Sequence, residues 1–420
     1  MMVLWSIPRR VYSFMVILQN MWSRLECTYM ERIDADSAAA TPLDPRVRCA
    51  MERAAEACAG NPGSIHKEGE RAHEELERAR RSIARLIGAK PHEIIFTGGG
   101  TEGNNLALFG IAYGKERFGG SIVTSAIEHS SVQEPLRELQ RRGCTLMELP
   151  CDADGHVRAE QILEALDSRT FLISIHLANN EIGTIQPIRQ IAEALRRYRK
   201  EHASVYPYLH TDACQAPRTL SIMAETLGVD ALTISGAKIY GPRGAGILYV
   251  REGTNLAPLF YGGGQEYGLR AGTEDVLACI GLAEALTVCA ELRNEERERL
   301  TQLRDELIDA LLALPGVVLN GSRGRERLPQ NVHVSFKHIA GERMVVELDR
   351  RGIAAATGSA CSARTKSASH VIRALASPEA PWRAEGALRL SLGRDATHAQ
   401  VRMIADTISD ILDACTHFYR

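Results

Sequence analysis

Residues 93–112 read Glu-Ile-Ile-Phe-Thr-Gly-Gly-Gly-Thr-Glu-Gly-Asn-Asn-Leu-Ala-Leu-Phe-Gly-Ile-Ala. Ile94–Phe96 is a short apolar run suited to a buried strand, Gly98–Gly100 is a turn, and helical spacing begins at Thr101. Strand, glycine turn and helix make the first half of a βαβ unit. The alternation continues downstream. Strands are expected at Ser121–Ser125, Thr145–Leu149, Phe171–Leu177, Tyr208–Thr211, Ala231–Ser235 and Ile247–Val250. Helices are expected at Ser130–Arg142, Ala159–Leu166 and Pro187–Glu201. Right-handed crossovers between such strands give a mostly parallel sheet. The fold class is therefore α/β, with one large lobe over about 45–290.

Upstream, residues 64–89 carry apolar positions at helical spacing between charges and read as an amphipathic helix ending near Gly88. Downstream, residues 291–313 form a highly charged helix with an apolar stripe. It leads into a smaller α+β lobe, 291–420 together with 33–44. That lobe has strands near Val317–Leu319, Val332–Phe336 and Leu388–Leu392, and helices near 342–351 and 398–415. Residues 1–32 read as an N-terminal extension: the apolar stretch before Met30 is interrupted by Arg9, Arg10 and Arg24, too short a run to span a membrane. An organellar presequence at 1–30 is the lesser reading, and the expected compartment is the cytoplasm.

Composition fits an ordinary globular chain. Of 420 residues, 45% are hydrophobic and 24% charged, enough for a large core and against a disordered class. Fifty basic residues balance 52 acidic ones, for a net charge of −2. Bulk charge thus argues against direct nucleic-acid binding. The ten cysteines have no CxxC pairs or repeated spacing, so a disulfide framework or metal site is not expected and reduced thiols are.

Five segments carry candidate chemistry. In an α/β sheet ligands bind at the carboxyl ends of strands, and the first three segments sit there. Gly98–Thr101 can approach an anion and offers helix N–H groups to it, with Thr101 adding a hydroxyl. Asp212 and Gln215 follow the strand Tyr208–Thr211, where an acid can pair with a protonated ring nitrogen or cap the next helix. Ser235-Gly236-Ala237-Lys238 places one of only seven lysines after a buried strand, where partial desolvation suits an amine that must lose its proton. Around Cys361, small and polar residues predict an exposed, mobile loop bearing a reactive thiol. Arg389 alternates with apolar residues on a strand. It needs an anionic partner, either a structural acid or a bound carboxylate.

One chemistry uses all five: a lysine-held aldehyde cofactor, an acid on its ring nitrogen, a glycine turn on its phosphate, an arginine on an amino-acid carboxylate, and an attacking thiol. With these in hand, the sequence resembles a cysteine desulfurase of the class V aminotransferase family. Within that family it is similar to the long-loop sub-group, whose active-site segment reads Ser-Gly-Ser-Ala-Cys or close to it. The motifs that carry the resemblance run in order: Ala39–Pro42, Asn61–Ser64, Thr97–Asn105, Glu128-His129, Asn179–Gly183, Asp212–Gln215, Ser235–Gly244, Arg270–Thr273, Gly358–Cys361 and Arg389–Arg394.

The resemblance implies a pyridoxal 5′-phosphate (PLP) enzyme of aminotransferase fold type I, with a large sheet domain of the seven-stranded type. Such an enzyme would convert L-cysteine to L-alanine. Lys238 would hold the cofactor as a Schiff base and move protons at the substrate α-carbon. His129 would stack on the ring, Asp212 pair with its nitrogen, and Gln215 bond its phenolic oxygen. Asn180 would lie near ring and substrate. Gly100, Thr101 and Ser235 would hold the phosphate, and Thr273 would do so in a neighbouring subunit, which implies a homodimer. Arg389 would take the substrate carboxylate. Cys361 would receive the sulfur as a persulfide and pass it to an acceptor protein, an iron–sulfur scaffold or a thiol carrier. One departure from the family pattern is Ala237, where histidine usually precedes the lysine. That removes one expected phosphate contact.

Overall fold

The glycine turn at 98–100 leads off a sheet of seven strands in a computed structural model that describes residues 32–115, 119–358, 369–375 and 380–418. Across the sheet the strands run Ile94–Thr97, Gly246–Val250, Ala231–Ser235, Tyr208–Asp212, Thr170–Ser174, Gly120–Ser125, Cys144–Leu149. Gly246–Val250 is antiparallel to both its neighbours, and the remaining pairs are parallel. The expected α/β class and mostly parallel sheet are thus observed. Sequence alternation gave no sign of the reversed strand, because direction is set by the tight return from 236 to 245 and not by strand composition. Five of the seven strands are buried at every residue. That follows from helices covering both faces, and it explains their continuous apolar runs.

The helix expected at 64–89 spans Lys67–Ile87 and stops at Gly88, whose φ of 66° is left-handed. It buries Ala72, Leu76, Ala79, Ile83 and Ile87 along one stripe, the spacing that brings one helical face to a core. The helix expected at 291–313 instead begins at Val276 and runs 37 residues to Leu312. Its first half, Val276–Cys289, is apolar on most sides and buried, so no amphipathic period marks it. Its second half exposes one face, and the charges there create the stripe.

That long helix joins two cores. Cys279, Leu282, Leu286 and Cys289 pack into the cluster under the seven-stranded sheet. Leu300, Leu303, Leu307 and Leu311 pack into a second cluster with Val332, Val334, Phe336, Leu388 and Leu390. The second cluster lies on an antiparallel sheet ordered Ala387–Ser391, Asn331–Phe336, Val317–Leu319. Ile33 and Ala35 belong to the same cluster, and Ile33–Asp34 pairs in parallel with Ile353–Ala354. Each fully buried leucine here contributes roughly 1.5–3 kcal/mol. Residues 36–44 then run from this small sheet to the carboxyl ends of the large one, which is where the site forms.

Candidate active site

The carboxyl ends of the parallel strands surround a cavity of about 310 Å³. Its wall includes Gly100, Thr101, His129, Asn180, Asp212, Gln215, Ser235, Lys238 and Arg389. Of the residues expected from sequence, these nine converge on one space. Thr273 is exposed and does not line this cavity. Cys361 lies outside the described residues, as does the expected loop around it.

The anion end is built by the glycine turn. Gly99 has a φ of 135°, open to glycine without strain. It precedes the helix Gly100–Tyr113, whose first N–H groups have no intrahelical acceptor. A Cβ on Gly100 would stand 2.7 Å from Cys214 Sγ, so a side chain there would intrude on the cavity wall. Glu102 fixes the turn from outside: it accepts from Gly98 N at 2.8 Å and from Arg270 Nε at 2.9 Å.

The acid end is a hydrogen-bonded chain. Asp212, the last residue of its strand, is 9% exposed. Its Oδ1 accepts from Cys214 N at 2.9 Å and its Oδ2 from Asn104 Nδ2 at 2.7 Å. Asn104 Nδ2 also reaches Ser131 Oγ at 2.8 Å, and Ser131 Oγ meets His129 Nδ1 at 2.8 Å. Burial pushes the Asp212 carboxyl up. The His129 imidazole, the Cys214 N–H and the Asn104 amide outweigh it and hold Asp212 below the usual carboxylate range. The carboxylate is therefore ionised at neutral pH and able to face a protonated ring nitrogen. Ser131 N also donates to His129 Nδ1 at 3.1 Å.

The lysine end is held by residues 39–44. Lys238 Nζ donates to the carbonyl of Ala39, and Gln215 Nε2 donates to that of Ala38 at 3.0 Å. Thr41 N donates to Ala237 O at 2.9 Å, and Tyr240 N donates to Thr41 Oγ1 at 2.7 Å. Tyr240 itself carries a φ of 60°, which is rare for a side chain of that size. Its ring is pinned between the guanidinium groups of Arg218 and Arg394. This tight turn fixes where the amine emerges.

Arg389 is 1% exposed. It donates through Nη2 to Asp36 Oδ1 at 2.7 Å and through Nη1 to Asn180 O at 3.2 Å. Its Nε has no partner. The anion required by sequence is thus present in the fold as Asp36, and one edge of the fork remains. Backbone bonds tie Arg389 to Ala356, N to O at 2.6 Å and O to N at 3.2 Å. The described chain before Cys361 ends at Gly358, against the Glu181 carboxylate. It resumes at Ser369, whose Oγ donates to Glu181 Oε2 at 2.6 Å.

Several site residues were not found by reading the sequence: Asn104, Glu128, Ser131, His176 and Cys214. Asn104 and Ser131 sit within the first two turns of their helices, where such residues are commonplace. His176 falls in the apolar run Phe171–Leu177, just past the observed strand end at Ser174, and reads as core. Cys214 lines the cavity, but burial pushes its thiol well above the usual range, so it is protonated and unreactive at neutral pH.

The residues present fit pyridoxal phosphate. A helix N-terminus with Thr101 and Ser235 suits the phosphate, an ionised buried acid suits the ring nitrogen, and a fixed amine suits the aldehyde. Among the described residues, no group of three or more His, Cys, Asp or Glu is placed to hold a metal ion.

Fold and cavity together define a PLP-type enzyme of the aminotransferase architecture, and comparison with known proteins gives the family. Residues 33–404 match the family described as aminotransferase class-V, and this chain belongs to it. Among curated relatives, cysteine desulfurase IscS of Dictyoglomus turgidum is 41% identical over 379 residues, 90% of this chain and 94% of that protein. Cysteine desulfurase IscS 1 of Archaeoglobus fulgidus is 42% identical over 378 residues, 90% and 96%. Among solved structures, a NifS-like protein superposes with a TM-score of 0.83 at 34% identity, covering 91% of this chain and 99% of that one. SspA in complex with cysteine superposes with a TM-score of 0.72 at 34% identity, covering 86% and 98%.

Proposed function

We propose that this chain is a PLP-dependent cysteine desulfurase that takes sulfur from L-cysteine onto Cys361 and leaves L-alanine. The observation that carries the reading is the convergence of Lys238, Asp212, His129 and Arg389 on one cavity, in a chain whose relatives are cysteine desulfurases. When bound, pyridoxal phosphate supplies an electron sink that stabilises negative charge on the carbons of the amino acid. Asp212 would hold the proton of the ring nitrogen, and His129 would cover the ring. Gly100, Thr101 and Ser235 would bind the phosphate, Gln215 the phenolic oxygen, and Asn180 would stand beside the substrate. Arg389 orients the substrate carboxylate. Lys238 removes and returns a proton at the substrate α-carbon.

The Cys361 thiolate attacks the substrate sulfur. A new S–S bond forms as the carbon–sulfur bond breaks, and its electron pair stays on carbon, which takes a proton to become the alanine methyl. Cys361 then holds a persulfide for a protein acceptor, an iron–sulfur scaffold or a thiol carrier. Four residues separate it in sequence from Ala356, which is bonded to Arg389, and a chain of five steps reaches at most about 18 Å. The buried thiols cannot substitute for it. Burial pushes the half-buried Cys151 and the buried Cys289 up to about 11, and it raises Cys214 and Cys279 well above the usual thiol range.

Thr273 fits a role in a neighbouring subunit's site, since it is exposed on this chain. This supports a homodimer. Among the described residues no helix is long and apolar enough to cross a membrane. The test is alanine and sulfide release from L-cysteine with a reductant. Cys361→Ser should abolish it without altering bound cofactor, and release by that variant at the wild-type rate would refute the assignment.

A further inference from the structure

His176 is a buried histidine that none of the roles above uses. It is 4% exposed and its ring lines the same cavity. It follows the strand Thr170–Ser174, in which Ser174 registers with His210. The ladder continues past the strand end, with Ile175 N bonded to His210 O and Leu177 N to Asp212 O. Two residues beyond the Ser174–His210 pair, side-chain alternation puts His176 beside Asp212 on the same face of the sheet.

One edge of its ring is fixed. The Glu128 carboxylate is fully buried and lies 2.9 Å from His176 Nδ1. That carboxylate also accepts from Ser125 Oγ at 2.5 Å and from His176 N at 3.1 Å. Nδ1 is thus the ring nitrogen paired with the carboxylate, and Nε2 faces the other way. Nε2 has no hydrogen-bond partner. A buried polar atom left bare costs roughly 1–3 kcal/mol. Here it belongs to a ring held by the Glu128 carboxylate, which Ser125 in turn holds. Such a cost is recovered when a bound molecule, or a water carried with it, meets that atom.

We propose that His176 is a further binding residue of the cofactor pocket, with Glu128 setting the ring so that Nε2 makes a hydrogen bond with the group bound beside Asp212. The inference rests on the reading of this cavity as the pyridoxal phosphate site. What sets His176 apart is that its bare nitrogen belongs to a residue of the cavity wall, whereas both nitrogens of His210 are satisfied within the fold through Ser174 and Thr233.

The test measures pyridoxal phosphate affinity and the visible absorption spectrum of the loaded protein, alongside the melting temperature of the cofactor-free protein. His176→Asn keeps a donor for Glu128 at the Nδ1 position and deletes the Nε2 edge. It should melt like wild type, bind cofactor about tenfold more weakly, and shift the absorption maximum. His176→Gln, which extends an amide to the Nε2 position, should recover part of the affinity. A folded Asn variant with wild-type affinity and spectrum overturns the inference and leaves the pocket reading intact. Wild-type protein that binds no pyridoxal phosphate overturns both. If the Asn variant does not fold, Glu128→Gln decides: it keeps an acceptor for Nδ1 but removes the charge behind it. A shifted spectrum supports the proposal and an unshifted one overturns it.

Discussion

Arg389 Nη2 lies 2.7 Å from Asp36 Oδ1, so the guanidinium assigned to the substrate is already held by a carboxylate of the fold. A fork fixed in this way presents its remaining edge without having to be ordered by substrate. Lysine cannot reproduce that geometry. Arg389→Lys should therefore raise KM for L-cysteine at least about tenfold while kcat falls less. Asp36→Asn, which keeps an acceptor, should raise KM by a smaller factor. Steady-state alanine formation measures both, and an unchanged KM in the lysine variant would remove Arg389 from the substrate site.

The close approach of Gly100 to Cys214 gives a paired prediction. In Gly100→Ala the new methyl would stand 2.7 Å from Cys214 Sγ, and overpacking of that kind costs about 1–3 kcal/mol. Gly100→Ala should lower both stability and cofactor affinity. Adding Cys214→Ala should return part of each, because the clashing sulfur is gone. Urea denaturation of the two single variants and the double variant measures the coupling. Strictly additive effects would show that the two side chains do not meet.

Most of this architecture could be read in the sequence, and the parts that could not share a cause. Buried strands such as Ala231–Ser235 and the stripe of Lys67–Ile87 were legible because burial on two faces or one writes a continuous or periodic apolar pattern. The Val276–Cys289 half of the long helix was not, since burial on most sides erases the period. Lys238, Asp212 and Cys361 stood out as reactive residue types in unusual local settings. Asn104, Ser131 and Glu128 did not, because their roles arise from partners 27, 108 and 48 positions away. His176 was hidden for the same reason. A histidine in an apolar run looks like core until its second nitrogen is seen to be bare.

Acid should destabilise the protein in a defined window. Burial pushes the His210 imidazole down to about 4, against about 6.5 in an unfolded chain. The unfolded state therefore takes up this proton first. Stability is full above about pH 6.5 and is lost as pH falls toward 4, by roughly 3 kcal/mol from this one group. His210→Gln should flatten that part of the profile. Urea unfolding between pH 7 and 4 tests it, and an unaltered slope in the variant would contradict the assignment.

The account depends most on one covalent attachment. Purified protein loaded with pyridoxal phosphate should be reduced with borohydride, digested, and mapped by mass spectrometry. The account predicts a pyridoxyl group on Lys238, the lysine whose Nζ is bonded to Ala39 O beside Asp212. A label on another lysine, or on none, would contradict it.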